Sequence, residues 1–219
     1  PTGRYFQIAA NASDKMVVVD TDTQKLEALI DTDKKPHPGP GANWIDPKCG
    51  PVGGTTHLGV GKVTVWGNDP AGHKDQAWKI CYEVETDGAG VFIRTHPKSD
   101  YFWADQTKHP EPEVQQSIQV IDKKTRKIVK TIRLTEKTGY AAVHMEFNKE
   151  GNEVWVSLWD KAGEVVVIDD KTHKIKPSTL EATKVKAITF AKARCLPKTR
   201  LFKNHTTYAI TKINKKNLK

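Results

Sequence analysis

The sequence lacks most of the features that would settle a function quickly, and each absence excludes something. No run of 18 or more apolar residues occurs, so no transmembrane helix is encoded. Cysteine is scarce: Cys49, Cys81 and Cys195 are odd in number, widely spaced and free of any Cys-x-x-Cys pair. A disulfide framework, a cysteine-rich zinc site and a thioether-type attachment motif are all unsupported on that spacing. No His-Glu-x-x-His and no Cys/His cluster is present, which argues against a protein zinc site. No glycine-rich loop carries a strand into a helix, and no phosphate-loop lysine follows one. No stretch of 12 or more residues reads as an amphipathic helix.

Acidic residues are missing altogether from positions 184–219, where eleven lysines and arginines stand. This resolves the net charge of +9: residues 1–183 carry 24 basic against 26 acidic side chains. A nucleic-acid surface is expected to spread over a folded domain as a patch or stripe. Here the body is slightly acidic, so no nucleic-acid partner is expected. The chain divides into a body, 1–183, and a basic tail, 184–219, which reads either as a frameshifted end or as a divergent segment. Pro1 leads straight into a strand-like run, with no initiator Met and no charged-then-apolar leader. The expectation is a piece of a longer protein, with any targeting information upstream.

Four segments repeat one pattern, a β-branched run closing on aspartate, a polar turn and a second strand. The closing residues are Asp20, Asp69, Asp122 and Asp169, spaced by 49, 53 and 47. Three of them continue into a Thr-x-Lys or Thr-x-Lys-Lys-like turn at Thr23, Thr125 and Thr172, a hairpin signal between β-branched runs. With upstream strands at Tyr5–Ala10, Tyr101–Ala104 and Glu153–Leu158, each unit has three or four strands in about 50 residues, the size of a propeller blade. The fold class expected is all-β, a β-propeller of about four blades. The Gly/Pro-rich segment 34–61 exceeds a blade turn and reads as a long shaped loop, where prolines fix φ and glycines open other conformations.

Histidines near loop and strand ends are the candidate chemistry, because imidazole titrates near working pH. His57 and His96 lead, with His37 behind them; His73, His109, His173 and His205 lie in polar turns or the tail. Each is also readable as a hydrogen-bonded structural residue. His144 sits in Ala-Val-His-Met-Glu-Phe and Trp159 ends a strand; the former reads equally as a strand cap, the latter as a core aromatic.

Six ordered motifs then carry a resemblance: His-Pro-Gly-x-Gly-Ala-Asn at 37–43, Gly-Pro-Val-x-x-Thr-x-His-Leu-Gly at 50–59 and Ala-Trp-Lys at 77–79. They are followed by Phe-Ile-Arg-Thr-His-Pro at 92–97, Glu-Phe-Asn-Lys-x-Gly-x-Glu-Val-Trp at 146–155 and Val-Val-x-Asp-Asp-Lys-Thr at 166–172. The chain resembles the haem d1 propeller of cytochrome cd1 nitrite reductase over roughly residues 4–180. The resemblance implies an eight-bladed haem d1 domain reducing nitrite to nitric oxide, of which this chain would be the C-terminal half, with residues 1–183 as the partial propeller. It implies His57 and His96 as the distal pair donating protons to nitrite, and His144 and Trp159 as cofactor-pocket residues. It places the proximal ligand and a haem c domain upstream, so that the segment alone is expected to be inactive. It also implies a periplasmic location, a c-type cytochrome or cupredoxin as electron donor, and a homodimer when full length. His144 stands where reductases of the family usually have Gln. That keeps a haem d1 biogenesis protein, such as dihydro-haem d1 dehydrogenase or a carrier, as the alternative, with a non-enzymatic propeller module behind it.

Overall fold

The computed structural model describes residues 3–39, 41–160, 163–177 and 180–181. The boundary at residue 183 and the basic tail, with Cys195 and His205, lie outside the described residues. Four antiparallel sheets follow one another along the chain. The first holds β1 (Tyr5–Ala10), β2 (Lys15–Asp20) and β3 (Lys25–Asp31). The second holds β4 (Ala42–Asp46), β5 (Gly50–Thr56), β6 (Lys62–Gly67) and β7 (Ile80–Glu85). The third holds β8 (Ile93–Thr95), β9 (Tyr101–Asp105), β10 (Ser117–Asp122) and β11 (Ile128–Arg133). The fourth holds β12 (Ala141–Phe147), β13 (Glu153–Trp159), β14 (Glu164–Asp169) and β15 (Leu180–Glu181). Within the last three sheets each strand pairs with its neighbours in sequence, and β4 touches β8 while β8 touches β12. The leading strands of successive sheets therefore converge, as the inner strands of propeller blades do, and the arc is not closed. The one α-helix among the described residues, α1 (Pro112–Gln115), has four residues.

The repeated aspartates explain the repeat. Asp20, Asp122 and Asp169 end the strand before a blade's outermost strand, and Asp69 follows it. Each carboxylate turns back to accept amide hydrogens of its own turn: from Asp22 at 3.0 Å, from Gly72 at 3.1 Å, from Thr125 at 2.6 Å and from Thr172 at 2.8 Å. An Asx turn of this kind satisfies turn amides locally and fixes where the chain reverses. Four residues beyond Asp20, Asp122 and Asp169, the residues Gln24, Arg126 and His173 adopt φ of 57°, 62° and 57°. That left-handed residue gives the outer hairpin its bulge, seen as register shifts at Val18/Val19 and Val120/Ile121.

The Gly/Pro segment corrects the sequence expectation. Residues 42–56 are not a loop but the two inner strands of the second blade. Glycine is required there by neighbours rather than by φ: a Cβ on Gly54 would lie 2.8 Å from the Trp44 ring, and one on Gly53 3.0 Å from Trp66. Two indoles thus lie flat on a strand stripped of side chains.

Between blades, apolar faces are joined by polar bonds at each boundary. Trp66 Nε1 donates to Gln7 Oε1 at 2.7 Å, Arg126 Nη2 to Asp46 Oδ1 at 2.7 Å, and Trp103 Nε1 to Asp170 Oδ1 at 2.9 Å. Around them pack Met16, Val18 and Ile30 on the first boundary, Val65, Phe102 and Ile121 on the second, and Ile118, Met145 and Val156 on the third.

The cysteines correct a second expectation. Cys49, in the turn between the inner strands, is bonded to Cys81 on the outer strand, with Cα atoms 6.4 Å apart. The spacing of 32 residues gave no hint because the pair closes across a sheet rather than within a motif. Asp46, Cys49 and Cys81 form the one trio of metal-type ligands among the described residues, but the sulfurs are bonded to each other and Arg126 occupies the carboxylate. Closing a loop of this length stabilises the fold by about 3–4 kcal/mol on the chain-entropy account. Cys81→Ser, or reduction of the parent chain, is expected to lower the denaturant midpoint accordingly, with thiol titration showing two more free thiols per chain after reduction than before. An unchanged midpoint on reduction would contradict the staple.

Candidate functional site

The inner strands bring side chains together in tiers. Just before β4, the His37 amide donates to Thr56 O at 2.9 Å, and its ring folds over Gly39, whose amide donates to His37 Nδ1 at 3.2 Å. The imidazole meets the Phe92 ring edge-to-face at 5.4 Å, and Phe92 meets His144 in the same way at 4.8 Å. Three successive blades thus contribute His37, Phe92 and His144 to one row. One step further along β8 and β12, Arg94 Nε donates to Glu146 Oε1 at 3.0 Å. A further step along, His96 stacks on Phe147 at 5.8 Å. Phe92, Arg94 and His96 share a face by the strand period of two.

Those tiers separate the residues expected to act as a pair. His57 follows β5 at the end where β4 and β8 begin, and its carbonyl accepts from Gly90 at 2.9 Å. His96 follows β8 at the opposite end, near Tyr101 and Asp122. The antiparallel register, Ile93 opposite Ala104 and Thr95 opposite Phe102, sets them towards opposite ends of β8.

Their surroundings differ as well. His57 is fully buried, with Nδ1 3.1 Å from Lys34 O and Nε2 2.8 Å from Thr64 Oγ1. Thr64 in turn donates to Glu83 Oε1 at 2.9 Å. Burial pushes the imidazole below its ordinary range, against the Lys34 carbonyl and the Asp33 and Glu83 carboxylates that favour the charged form. The ring ties the loop entering the second blade to β6. His96 Nδ1 accepts the Lys98 amide at 3.2 Å, its carbonyl is capped by Lys123 Nζ at 3.1 Å, and a Cβ on Gly151 would strike the ring. Burial, Lys98 and Lys123 all lower its pKa.

His37 and His144 are half-buried. Burial lowers both, helped by Lys108 at His37; at His144, Glu146 opposes it and Arg94 assists. His144 has φ 56° and sits in a bulge where pairing with β13 slips between Val143 and Met145. Trp159, opposite Ala141 at the end of β13, is 66% exposed and lies at the same end of its blade as this row. A cavity of about 1470 Å³ opens beside the inner strands, with Ile8, His37, Asn43, Trp44, Tyr101 and Lys123 on its wall. His37 is the histidine on that wall; His57, His96, His144 and Trp159 are not on it.

His37 stood behind His57 and His96 in the sequence reading; its position just before the leading strand of a blade places it where the inner strands converge. Phe92 and Arg94 carried no signal beyond lying in a strand with His96.

The model of the cytochrome D1 heme domain matches residues 1–187. The nitrite reductase of Stutzerimonas stutzeri is 45% identical over 191 residues, covering 79% of this chain and 34% of that protein. The dihydro-heme d1 dehydrogenase of Pseudomonas aeruginosa is 32% identical over 173 residues, 77% of this chain and 32% of that one. This chain therefore spans about a third of the length of these relatives. The solved structure of dihydro-heme d1 dehydrogenase NirN in complex with DHE superposes with a TM-score of 0.68 at 26% identity, over 84% of this chain and 38% of that chain. The hydrazine synthase of Kuenenia stuttgartiensis superposes at 0.63 with 16% identity, over 81% and 46%, which shows the fold alone. The match over nearly the whole described body, with the blades and motif order already seen, makes this chain a member of the cytochrome d1 haem domain family.

Proposed function

We propose that the chain forms part of the haem d1 propeller of a nitrite reductase that makes nitric oxide. The observation that carries this reading is the 45% identity to a nitrite reductase over 191 residues, beside a row of two imidazoles flanking Phe92 on converging strands. The residues suit a macrocycle, whose flat apolar faces and anionic edges call for aromatic walls with imidazole or cationic rims. Phe92, exposed Trp159, His37 and His144 supply these at one end of the arc, with Arg94 below. Haem d1, when bound, supplies an iron centre that takes up nitrite and passes it one electron. Releasing nitric oxide and water also consumes two protons.

Those protons are where this chain's residues enter. His37, on the cavity wall and able to present Nε2, is the proton donor of this reading. His144 is the second imidazole of the row, and Trp159 covers the macrocycle. His57 and His96, proposed from the sequence as the donors, serve instead as the frame of the second and third blades. Burial and Lys108 lower the proton affinity of the His37 imidazole, and an anion brought beside it raises that affinity again. The Cys49–Cys81 bond supports an oxidising compartment, in keeping with a periplasmic protein served by a c-type cytochrome or cupredoxin. A proximal ligand, a haem c domain and a dimer contact belong to the longer protein in this reading. His144, in place of the usual Gln, favours the second reading, a haem d1 maturation enzyme.

Loaded with haem d1 in the full-length protein, His37→Ala is expected to lower nitrite turnover about 100-fold or more while haem content stays level. His57→Ala is expected to lower the melting midpoint, since it empties a fully buried site and removes the ring's contacts with Thr64 and the Lys34 carbonyl, and to leave turnover per haem unchanged. The unsubstituted protein should lose turnover as pH rises from about 5 to 8, because a donor with a lowered pKa is needed in its protonated form. The His37→Ala protein should lose that slope. Steady-state nitrite assays across pH, beside calorimetry, check all three. Oxidation of dihydro-haem d1 without nitrite reduction would transfer the chain to the maturation reading.

A further inference from the structure

Asp105 is a buried carboxylate that no catalytic argument has used. It ends β9 and is 1% exposed. A carboxylate out of water needs compensation from several hydrogen-bond donors, and here the donors are backbone amides from two blades. Val91 N donates to Oδ1 at 2.6 Å and Phe92 N to Oδ2 at 3.1 Å. The His144 amide also points at it, the Thr107 hydroxyl shares its one proton between this carboxylate and the Ala142 carbonyl, and burial still pushes the Asp105 pKa up to about 6.

The His144 amide is available for a reason. At the bulge in β12, pairing runs from Val143 opposite Ser157 to Met145 opposite Val156, leaving His144 out of the ladder. An extra residue of this kind has an amide with no strand partner, and a buried amide must find another. Its φ of 56° is a region that residues with a Cβ adopt reluctantly. That conformation turns the amide toward Asp105 and the imidazole toward Phe92. The same loop holds the strand just before the bulge, where Thr107 Oγ1 donates to Ala142 O at 3.0 Å.

We propose that Asp105 is a positioning residue that locks Phe92 and His144 together across the boundary between the third and fourth blades, and so sets the His37–Phe92–His144 row. What that row faces rests on the function proposed above; the lock itself does not. A carboxylate that merely capped the entry to β8 would leave His144 indifferent to its loss.

The test uses the 219-residue chain without cofactor, with histidine rings isotopically labelled for NMR. Asp105→Asn replaces one acceptor oxygen by a donor facing amides. It is expected to shift the ring resonances of His144 and His37 and to remove the cross-relaxation between His144 and Phe92. Asp122→Asn, in the outer turn at the other end of the same blade, should leave those signals in place. A double-mutant cycle supplies the second readout. Glycine accepts positive φ freely, so His144→Gly should relieve the need for the lock. Asp105→Asn should lower the folding equilibrium constant about tenfold or more beside His144, and less than about threefold beside Gly.

If Asp105→Asn does not fold, Thr107→Val, which keeps the carboxylate and removes one donor, should move the same resonances by a smaller amount. Unmoved His144 signals, or an equal penalty in both backgrounds including loss of folding in both, would overturn the lock. Because no cofactor enters these measurements, their failure leaves the nitrite reductase reading untouched. Failure to bind haem d1 with the coupling intact would count against that reading alone.

Discussion

The blades are sheets that bury apolar side chains against the next blade along the arc. The packing of sheet upon sheet is the constraint from which the other features follow. It demands a bulky filler at each boundary, which is why Trp66, Trp44 and Trp103 lie where they do. It also makes an indole N–H or a guanidinium at the boundary costly unless it is partnered; Gln7 partners Trp66, Asp46 partners Arg126 and Asp170 partners Trp103, while the Trp44 indole N–H is buried without a hydrogen-bond partner among the described residues. Inner strands then crowd together because the outer ones diverge, and the crowding assembles side chains that are far apart in sequence into tiers.

The parts of this fold legible in the sequence are those whose cause is local. An aspartate that hydrogen-bonds to amides two or three residues ahead leaves its mark at one position, and four such marks revealed the blade repeat and most strand boundaries. The strands over 42–56 were not legible, because what makes a glycine-rich run extend is the presence of Trp44 and Trp66, whose rings need the room. Local propensity for turn was overridden by a tertiary neighbour. The disulfide was hidden for the same reason: the distance between Cys49 and Cys81 is set by the width of a sheet.

The sequence marked histidines at loop and strand ends as candidates, and the family motifs marked the segments that carry them. What a linear reading cannot supply is the end of the blade at which each residue emerges. His57 and His37 are neighbours across one strand pair, joined through the bridge of Pro36 with His57. Strand alternation sends one ring into the blade, to Thr64, and the other out to Phe92. His96 lies a whole inner strand away, where Arg94 and Glu146 intervene.

The left-handed backbone at His144 bears on how this family member can drift. A histidine codon reaches Asn, Asp, Gln, Tyr, Arg, Leu and Pro by one nucleotide change. Of these, Asn and Asp settle most readily at positive φ, and both give up the imidazole; Pro cannot adopt it at all. Gln would keep a polar side chain but meets the same backbone penalty. Two independent filters, one on the main chain and one on the side chain, therefore act at a single codon. A change to a residue other than Asn, Asp or Gly carries the backbone penalty of the bulge, so such a swap at 144 is expected to trail, in evolutionary order, a change in the strand that carries it.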